Sequence, residues 1–309
     1  MAHSSVRDTP GPSSRLRTVR PDGTPVYRYE QRPGAPPVSV IHFDTDVAHA
    51  ALPPDQRHAH DFLVLVYVEQ GAGSFILDGT ERPLRAGEVH AVSPGQVIGV
   101  PAVAELAHCR AWSVAFTPDA VPTLAAVSPL AWSHHPLLAL FTPGAGPGRV
   151  AKPDRPRWSA WLSELSEELA DPGRLGAHEV VAGLLTRVLV AAARLAPAVP
   201  SAPDPLIQRV FDEIEATFRD PVSVGEVARA LGYTPGHLTT VVRERTGRPL
   251  LEWITERRMT EVRRMLRETD LPLGVVASRT GLRNATYLVR RFRNRYGITP
   301  QRWRDSQRA

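Results

Sequence analysis

The sequence predicts a two-domain α+β protein, in which a small β-barrel with trailing helices precedes an all-α domain. Three observations predict this fold class. Short apolar runs separated by turn signals extend from residue 38 to about residue 117, a spacing typical of a barrel or sandwich. From about residue 130, apolar residues recur every three or four positions, as in helices. After residue 204, a helix-turn-helix pattern occurs twice.

The charge of the 309-residue chain is uneven. Residues 1–200 carry 17 basic and 19 acidic residues, whereas residues 201–309 carry 20 basic and 13 acidic residues, a net charge of +7. Within the second part, residues 271–309 contain nine arginines and one acid. Positive charge concentrated in this way indicates a domain that docks on a polyanion.

Composition excludes several classes of protein. With Cys109 as the single cysteine, the chain forms no internal disulfide and no zinc site built on several cysteines. The first fifteen residues have no apolar core for a signal peptide, and no apolar run approaches the length that spans a bilayer. We therefore expect a soluble, cytoplasmic protein without membrane contact. The sequence also lacks a glycine-rich phosphate loop, GxSxG and HExxH, so we expect no catalytic residues and no cofactor.

The first half divides into three predicted regions. Residues 1–37 contain seven prolines and little periodicity, which predicts a flexible arm; it either closes over the barrel or is disordered. Residues 38–118 form the predicted barrel, with a hairpin turn at Asp78-Gly79. Residues 119–196 form a helical region that covers the barrel or mediates dimerisation.

The last helix of this region carries a heptad-like apolar seam: Val181, Leu185, Val188, Ala192 and Leu195. Two interpretations remain open at this point. The seam covers the open face of the β domain, or it pairs with its copy in a second chain, and the two are compatible. Residues 197–203, with three prolines, predict a linker. Asp204 and Pro205 then begin the second domain, 204–309, as helix N-cap and first helical residue.

The internal repeat is the most informative feature of the sequence. Ala228 and Gly232 correspond to Ala277 and Gly281 at an offset of 49, and Trp253 corresponds to Trp303 at an offset of 50. Each copy places a short helix before a glycine suited to a tight turn, and a second helix with arginines after it. The copies predict motifs at about 223–246 and 272–296, joined by one helix over 250–267. A tandem helical protein-binding module is the alternative, but it would not need so many arginines.

Residues 204–304 resemble the DNA-binding domain of the AraC-type (AraC/XylS) transcriptional regulators. The resemblance rests on Gly281, Tyr287, Arg290, Phe292, Gly297, Thr299-Pro300 and Trp303-Arg304. Leu282 and Leu288 stand where the family usually has phenylalanine, and Val262 where it usually has alanine; these exchanges affect only packing detail.

The resemblance implies that two recognition helices enter successive major grooves, about 34 Å apart. Candidate DNA-binding residues are Gly236, His237, Thr239, Thr240 and Arg243 on the first helix, and Ala285, Thr286, Arg290, Arg293 and Arg295 on the second. Arg290 is the candidate for a bidentate contact to guanine. For each arginine the alternative is a phosphate contact or a solvated face.

Residues 58–97 resemble the cupin-like sensor domain that precedes such DNA-binding domains, through His60-Asp61-Phe62, Gly71, Gly73, Asp78-Gly79, Gly87 and Pro94-Gly95. His58 and His60 match the first histidine pair of a cupin metal site. Val64 and Leu65 occupy the region of its glutamate, and Ile98 the place of its last histidine. We therefore predict no metal, because two ligands do not make a normal site. His58 and His60 are candidates for an effector contact, or else plain rim residues.

We thus expect a sequence-specific, double-stranded-DNA-binding transcriptional regulator whose first domain senses a small-molecule effector. We also expect a homodimer, for which the apolar seam is the candidate interface, and RNA polymerase is a further candidate partner. A cupin-fold enzyme with a DNA-binding tail and a ligand-independent DNA-binding protein are the alternatives.

Overall fold

The computed structural model describes residues 14–30, 35–44, 57–99, 109–142, 144–195, 204–220, 222–246 and 248–306. Within these residues the chain forms the predicted two-domain α+β structure. The first domain contains two β-sheets and two long helices, and the second contains seven helices. The predicted linker at 197–203 and the first part of the predicted arm, residues 1–13, lie outside the described residues.

The strands of the first domain form two sheets. In chain order they are β1 (Ser14–Val19), β2 (Pro25–Tyr29), β3 (Val38–Asp44), β4 (His58–His60), β5 (Leu63–Gln70), β6 (Ala72–Leu77), β7 (Thr80–Arg85), β8 (Glu88–Val92), β9 (Val97–Gly99), β10 (Arg110–Phe116) and β11 (Gly148–Arg149). One sheet has the strand order β1-β2-β4-β9-β6-β7, and the other has the order β11-β8-β5-β10-β3. Strands β6 and β7 pair from Leu77 to Thr80, which confirms the hairpin turn at Asp78-Gly79.

The structure corrects the prediction that the arm extends to residue 37. Strands β1 and β2 pair with each other, and β2 continues the sheet through parallel pairing with β4. Val26 and Tyr29 are buried in the barrel. The prolines dominated the sequence pattern here, yet Pro25 occupies the first position of its strand, where it removes no ladder hydrogen bond from the strand interior.

Strand β5 is buried on both faces, because successive side chains of a strand point to opposite sides. Val64 belongs to the core between the two sheets, together with Phe62 and Tyr29. Leu63, Leu65 and Tyr67 point the other way, into a core formed with the helices. The outer face of the five-stranded sheet therefore needs a helical cover.

That cover consists of α1 (Arg155–Ala170) and α2 (Ala177–Leu195). The seam residues Val181, Leu185, Val188 and Ala192 are buried in the same core as Leu63 and Leu65. Leu195 is partly buried against it. The structure thus decides between the two interpretations of the seam: it belongs to the intrachain core.

The second domain contains α3 (Pro205–Thr217), α4 (Val224–Ala230), α5 (Pro235–Thr246), α6 (Leu250–Glu268), α7 (Leu273–Arg279), α8 (Ala285–Tyr296) and α9 (Pro300–Ser306). Asp204 caps α3 by accepting from the backbone N–H groups of Leu206 and Ile207. Ser223 and Glu226 form a reciprocal capping box at the start of α4. The predicted N-cap at Asp204 is therefore confirmed.

Candidate nucleic-acid interface

Two separate apolar cores hold the two helix-turn-helix motifs. The first includes Val210 and Ile214 of α3, Val227 and Ala228 of α4, Leu238 and Val242 of α5, and Leu250 and Ile254 of α6. The second includes Met259, Val262 and Leu266 of α6, Val276 and Ala277 of α7, and Leu288 and Phe292 of α8. Helix α6 contributes its first half to one core and its second half to the other. One helix therefore sets the relative position of α5 and α8.

An arginine–carboxylate network strengthens the junction between the motifs. The Arg257 guanidinium donates to both carboxylate oxygens of Glu215 at 2.6 and 2.7 Å, a bidentate geometry. Arg258 donates to the carbonyl groups of Phe218 and Asp220 at the end of α3, at 2.9 and 2.8 Å. Several arginines that contribute to the +7 charge are therefore structural, and they are not available to a polyanion.

The first recognition helix, α5, presents a small polar face to solvent. Gly236, His237, Thr240 and Arg243 are exposed, and Thr239 is partly exposed. The His237 ring stacks on Tyr233, with ring centroids 5.7 Å apart. Apart from Arg243, this face offers short side chains close to the helix start.

The second recognition helix, α8, presents a more basic face. Thr286, Arg290 and Arg293 are exposed, and Ala285 is partly exposed. Asn284 begins the helix by accepting from the backbone N–H of Tyr287 at 2.8 Å. The Arg290 guanidinium lies 5.4 Å from the ring centroid of Tyr287. These side chains lie on one side of α8, and that side is exposed to solvent.

Arg295 does not belong to that exposed face. Its guanidinium forms an ion pair with Asp61 of the barrel, and it donates to both carboxylate oxygens of Glu256 at 3.1 Å. The reason is helical periodicity: residue 295 lies seven positions after the buried Leu288, on the same stripe of the helix. In this arrangement of the two domains, our prediction that Arg295 faces DNA is therefore wrong.

The positive charges of Arg295 and its neighbours keep the carboxylate of Glu256 ionised. Burial alone would raise the pKa of Glu256, but the positive charges of Arg295 and Arg248 outweigh burial and lower that pKa to about 2. Glu256 is consequently ionised at physiological pH.

Further contacts join the β-sheet domain to the helical domain. Arg263 of α6 forms a buried ion pair with Asp119. Arg28 of β2 donates to the carbonyl groups of Arg293 and Asn294, at 3.3 Å each. A cation in this position stabilises the negative end of the α8 dipole. Leu130, from a turn that follows the barrel, is buried in the first helix-turn-helix core. The barrel therefore contacts α6 and the last turn of α8.

Sequence reasoning missed this domain contact. Asp119 and Arg263 are 144 positions apart, and Asp61 and Arg295 are 234 positions apart. No local pattern links such pairs. The only sequence signal was the position of Arg295 on the apolar stripe of α8.

His58 and His60 of the β-sheet domain lie side by side on β4. Their ring centroids are 4.7 Å apart, and the ring of His60 stacks on Phe62 at 4.6 Å. Burial, together with the nearby His58, lowers the pKa of His60 to about 3. His60 is therefore neutral at physiological pH. In the part of the chain that the structure describes, no three His, Cys, Asp or Glu side chains are grouped as a metal site requires.

None of the helices in the described ranges is long and apolar enough to cross a membrane. A β-sheet domain docked on two helix-turn-helix motifs, one with an exposed polar face and one with an exposed basic face, defines the class of the protein: a DNA-binding regulator with a sensor domain.

Comparison with known proteins gives the family. The family model described as "AraC-like ligand binding domain" matches residues 47–186, and the family model described as "Helix-turn-helix domain" matches residues 227–306. The multiple antibiotic resistance protein MarA of Escherichia coli (strain K12) is 32% identical over 98 residues, which are 32% of this chain and 77% of MarA. The chain belongs to the AraC family of transcriptional regulators.

Two further matches show the extent of the similarity. The HTH-type transcriptional activator AarP of Providencia stuartii is 31% identical over 101 residues, which cover 33% of this chain and 75% of AarP. The crystal structure of ToxT from Vibrio cholerae O395 aligns with 88% of this chain and 98% of its own, at 8% identity and a TM-score of 0.37. The ToxT match is too weak to add to the assignment.

Proposed function

We propose that this AraC-family regulator binds a specific DNA sequence with α5 and α8 in successive major grooves on one side of the duplex. The observation that carries the proposal is the division of α6 between the two helix-turn-helix cores. One helix thereby positions two exposed recognition faces, as recognition of two neighbouring grooves requires.

The exposed residues suggest different roles for the two helices. On α8, Arg290 is placed to donate to O6 and N7 of a guanine, and Arg293 to contact phosphate. Ala285 and Thr286 lie near the start of α8, where a recognition helix approaches base edges. On α5, Gly236, His237, Thr239 and Thr240 suit thymine methyl groups or groove shape, with Arg243 on the backbone. Arg295 remains paired with Asp61 and Glu256 while the domains are docked.

The sensor domain is proposed to bind a small-molecule effector and to shift how the DNA-binding domain is presented. His58 and His60 remain candidate effector contacts. We further propose that the protein acts in the cytoplasm as a homodimer, works together with RNA polymerase, and catalyses no reaction. The buried seam of α2 implies that a dimer uses a different surface.

Selection of bound sites from random DNA with the full-length protein tests the proposal. Arg290→Ala should lower affinity for the selected site by about 1–3 kcal/mol and relax the preference at one base pair. Arg293→Ala should weaken all sequences to a similar extent and reduce the salt dependence of binding. Arg157→Ala, which removes an exposed arginine of α1, is the control and should change neither. Unchanged sequence preference in Arg290→Ala would contradict the assigned register of α8.

A further inference from the structure

The hairpin formed by β1 and β2 lies against the C-terminal end of α8. Arg28 of β2 donates to the carbonyl oxygens of Arg293 and Asn294, at 3.3 Å each. A Cβ on Gly297, the residue that ends α8, would lie 3.1 Å from the carbon atom of the same guanidinium group. Part of the first domain therefore sits where the second recognition helix ends.

The outer face of this hairpin carries two opposed arginines. Tyr27 and Tyr29 pack in the core between the two sheets, so Arg28, which stands between them, points outward. Arg15 of β1 is directly opposite Arg28 in the strand ladder, and opposed residues share one face of a sheet. The two positive side chains therefore lie next to each other on the side of the sheet that faces α8.

A third arginine of the hairpin extends the positive surface toward the helical domain. Arg17 lies where the pairing of β1 with β2 shifts register, and such a bulge redirects a side chain. Its guanidinium donates to the Asp61 carboxylate at 3.2 Å, and the same carboxylate pairs with Arg295 of α8. One acidic side chain thus serves an arginine from each domain.

The opposed pair of arginines costs stability within the chain. Like charges directly opposite each other destabilise a sheet. Glu30 lies 3.9 Å from Arg15, but both side chains are more than half exposed, so this ion pair contributes little. Among the described residues no carboxylate forms an ion pair with Arg28, which donates to neutral carbonyl groups instead. An anion from outside the chain that contacts this face would offset the repulsion.

The length of α8 places the hairpin relative to a bound duplex. Its 12 residues span about 18 Å, whereas the major groove is about 12 Å wide. A recognition helix contacts bases with its N-terminal residues, so the last turn of α8 would emerge from the groove at the phosphate strand that borders it. Arg293 and Asn294 are exposed in this last turn. The arginines of the hairpin therefore lie beside that strand.

We propose that the outer face of the β1–β2 hairpin binds the DNA phosphate backbone next to the second major groove. Arg15 donates to a phosphate, and Arg28 holds the hairpin on the end of α8. The inference rests on the proposed function, because it extends the interface that α8 forms. Phosphate contacts carry no sequence information, so the hairpin should raise the affinity for every duplex by the same factor, and only while the domains are docked as in this structure.

Fluorescence anisotropy of full-length protein with the selected duplex, over a range of salt concentrations, tests the proposal. Arg15→Ala should lower affinity about fivefold at about 0.15 M salt and reduce the slope of log K against log salt by about 0.9, the value for one phosphate. The loss should be equal on an unrelated duplex. Arg15→Lys, which keeps the charge, should retain the wild-type slope. An unchanged slope in Arg15→Ala would overturn the proposal.

Arg157→Ala is the matched control for Arg15→Ala. The Arg157 side chain is 66% exposed and lies 3.9 Å from Asp154, just as the Arg15 side chain is 65% exposed and lies 3.9 Å from Glu30. Arg157 belongs to α1, which covers the other sheet, so its loss should change neither affinity nor salt slope. Equal effects of the two substitutions would reduce the result to net charge and would overturn the proposal.

Glu30→Gln gives a test of opposite sign. It removes the negative charge beside Arg15, so binding of every duplex should tighten about two- to fivefold, the equivalent of one exposed ion pair. Asp154→Asn is its control and should leave DNA binding unchanged. A hairpin that only holds the two domains together would gain nothing from Glu30→Gln, so unchanged binding would contradict the phosphate contact.

Single methylphosphonate substitutions, each of which neutralises one phosphate, locate the contact. For the wild type, neutralising a phosphate that borders the second groove near the end of α8 should weaken binding about fivefold. In Arg15→Ala, one of these losses should disappear while the others remain, and this non-additivity identifies a direct contact. Thermal melting establishes that each variant is folded. If Arg15→Ala lowers affinity but retains every loss, the arginine acts through domain position, and the proposal is wrong.

The sequence preference of the wild type separates this inference from the proposed function. Wild-type protein that prefers its selected site, with an Arg15→Ala variant of equal salt slope, would overturn the hairpin contact alone. Folded wild-type protein without sequence preference would overturn the proposed function, and the hairpin contact would still be measured on the unrelated duplex.

Discussion

The α carbon of Gly281 lies directly against the backbone carbonyl of Phe218. A Cβ at Gly281 would be 2.4 Å from the Phe218 oxygen and 2.8 Å from that of Asp220. Gly281 also has a φ of +68°, in the left-handed region. The turn of the second helix-turn-helix motif is thus in close contact with the end of α3, which packs in the core of the first motif.

Gly281→Ala should therefore destabilise the protein far more than Gly232→Ala. Gly232, its counterpart in the first motif, has a φ of +78°, but a Cβ added there would meet no described atom within 4 Å. We expect Gly232→Ala to cost about 1 kcal/mol from backbone strain alone. We expect Gly281→Ala to cost several times more, since backbone carbonyls must move as well. Urea denaturation measures the free energy of unfolding of both variants. Equal losses would show that the backbone at the end of α3 moves away from a Cβ at residue 281 at little cost.

Leu185→Arg should unfold the sensor domain and should not produce a folded monomer. Leu185 is completely buried between α2 and the five-stranded sheet, so a charge there has no route to water or to a partner. We expect a loss of at least about 4 kcal/mol.

Val180→Arg, on the exposed side of the same helix, is the control and should stay folded. Circular dichroism and sedimentation distinguish the outcomes. A folded, dissociated Leu185→Arg protein would restore the seam as an interface between chains.

Asp119→Asn should cost about 3 kcal/mol or more, because it leaves the buried Arg263 charge without its counter-ion. Both side chains are about one-tenth exposed or less. The double variant Asp119→Leu, Arg263→Met should recover most of this loss, since an apolar pair needs no counter-charge.

The exposed pair Arg157 and Asp154 provides the reference, and Asp154→Asn should cost less than about 0.5 kcal/mol. Chemical denaturation of the four proteins measures the difference. Equal losses for Asp119→Asn and Asp154→Asn would contradict a buried, desolvated interdomain pair.

Removing His60 should flatten the acid dependence of stability. Because the pKa of His60 is about 3 in the folded protein and about 6.5 in an unfolded chain, the unfolded state takes up the proton first as the pH falls. The contribution of neutral His60 to the free energy of unfolding is therefore fully present above about pH 6.5 and is lost progressively toward pH 3.

Between pH 7 and pH 5, wild type should lose about 2 kcal/mol more than His60→Leu. Urea denaturation at the two pH values measures this difference. Other titrating groups, His90 among them, are present in both proteins and cancel in the comparison. Parallel losses would place His60 in contact with solvent.

The sequence alone predicted what depends on local pattern. The 49–50-residue repeat predicted both helix-turn-helix motifs, and the Asp204-Pro205 pair predicted the N-cap of α3. The same reasoning, applied strictly, would have separated Arg290 from Arg295, because one lies opposite the apolar stripe of α8 and the other on it.

Contacts between distant segments were beyond such reasoning. The pairs Asp61–Arg295 and Asp119–Arg263 join residues more than 140 positions apart. The strand β1 was missed for a related reason: its exposed side chains leave no alternation to detect, and only its pairing with β2 makes it a strand.

The burial of Leu130 in the first helix-turn-helix core restricts how the chain can be divided. A shortened chain that begins at residue 204 lacks this side chain and leaves its apolar site in the core open to water. Chimeric regulators that place this DNA-binding half behind a foreign sensor would carry the same defect. Such a chimera needs its own leucine-bearing turn at that point, or a larger side chain from α3 to fill the space. Joining this DNA-binding half to a foreign sensor domain is therefore limited by a single short segment of the first domain.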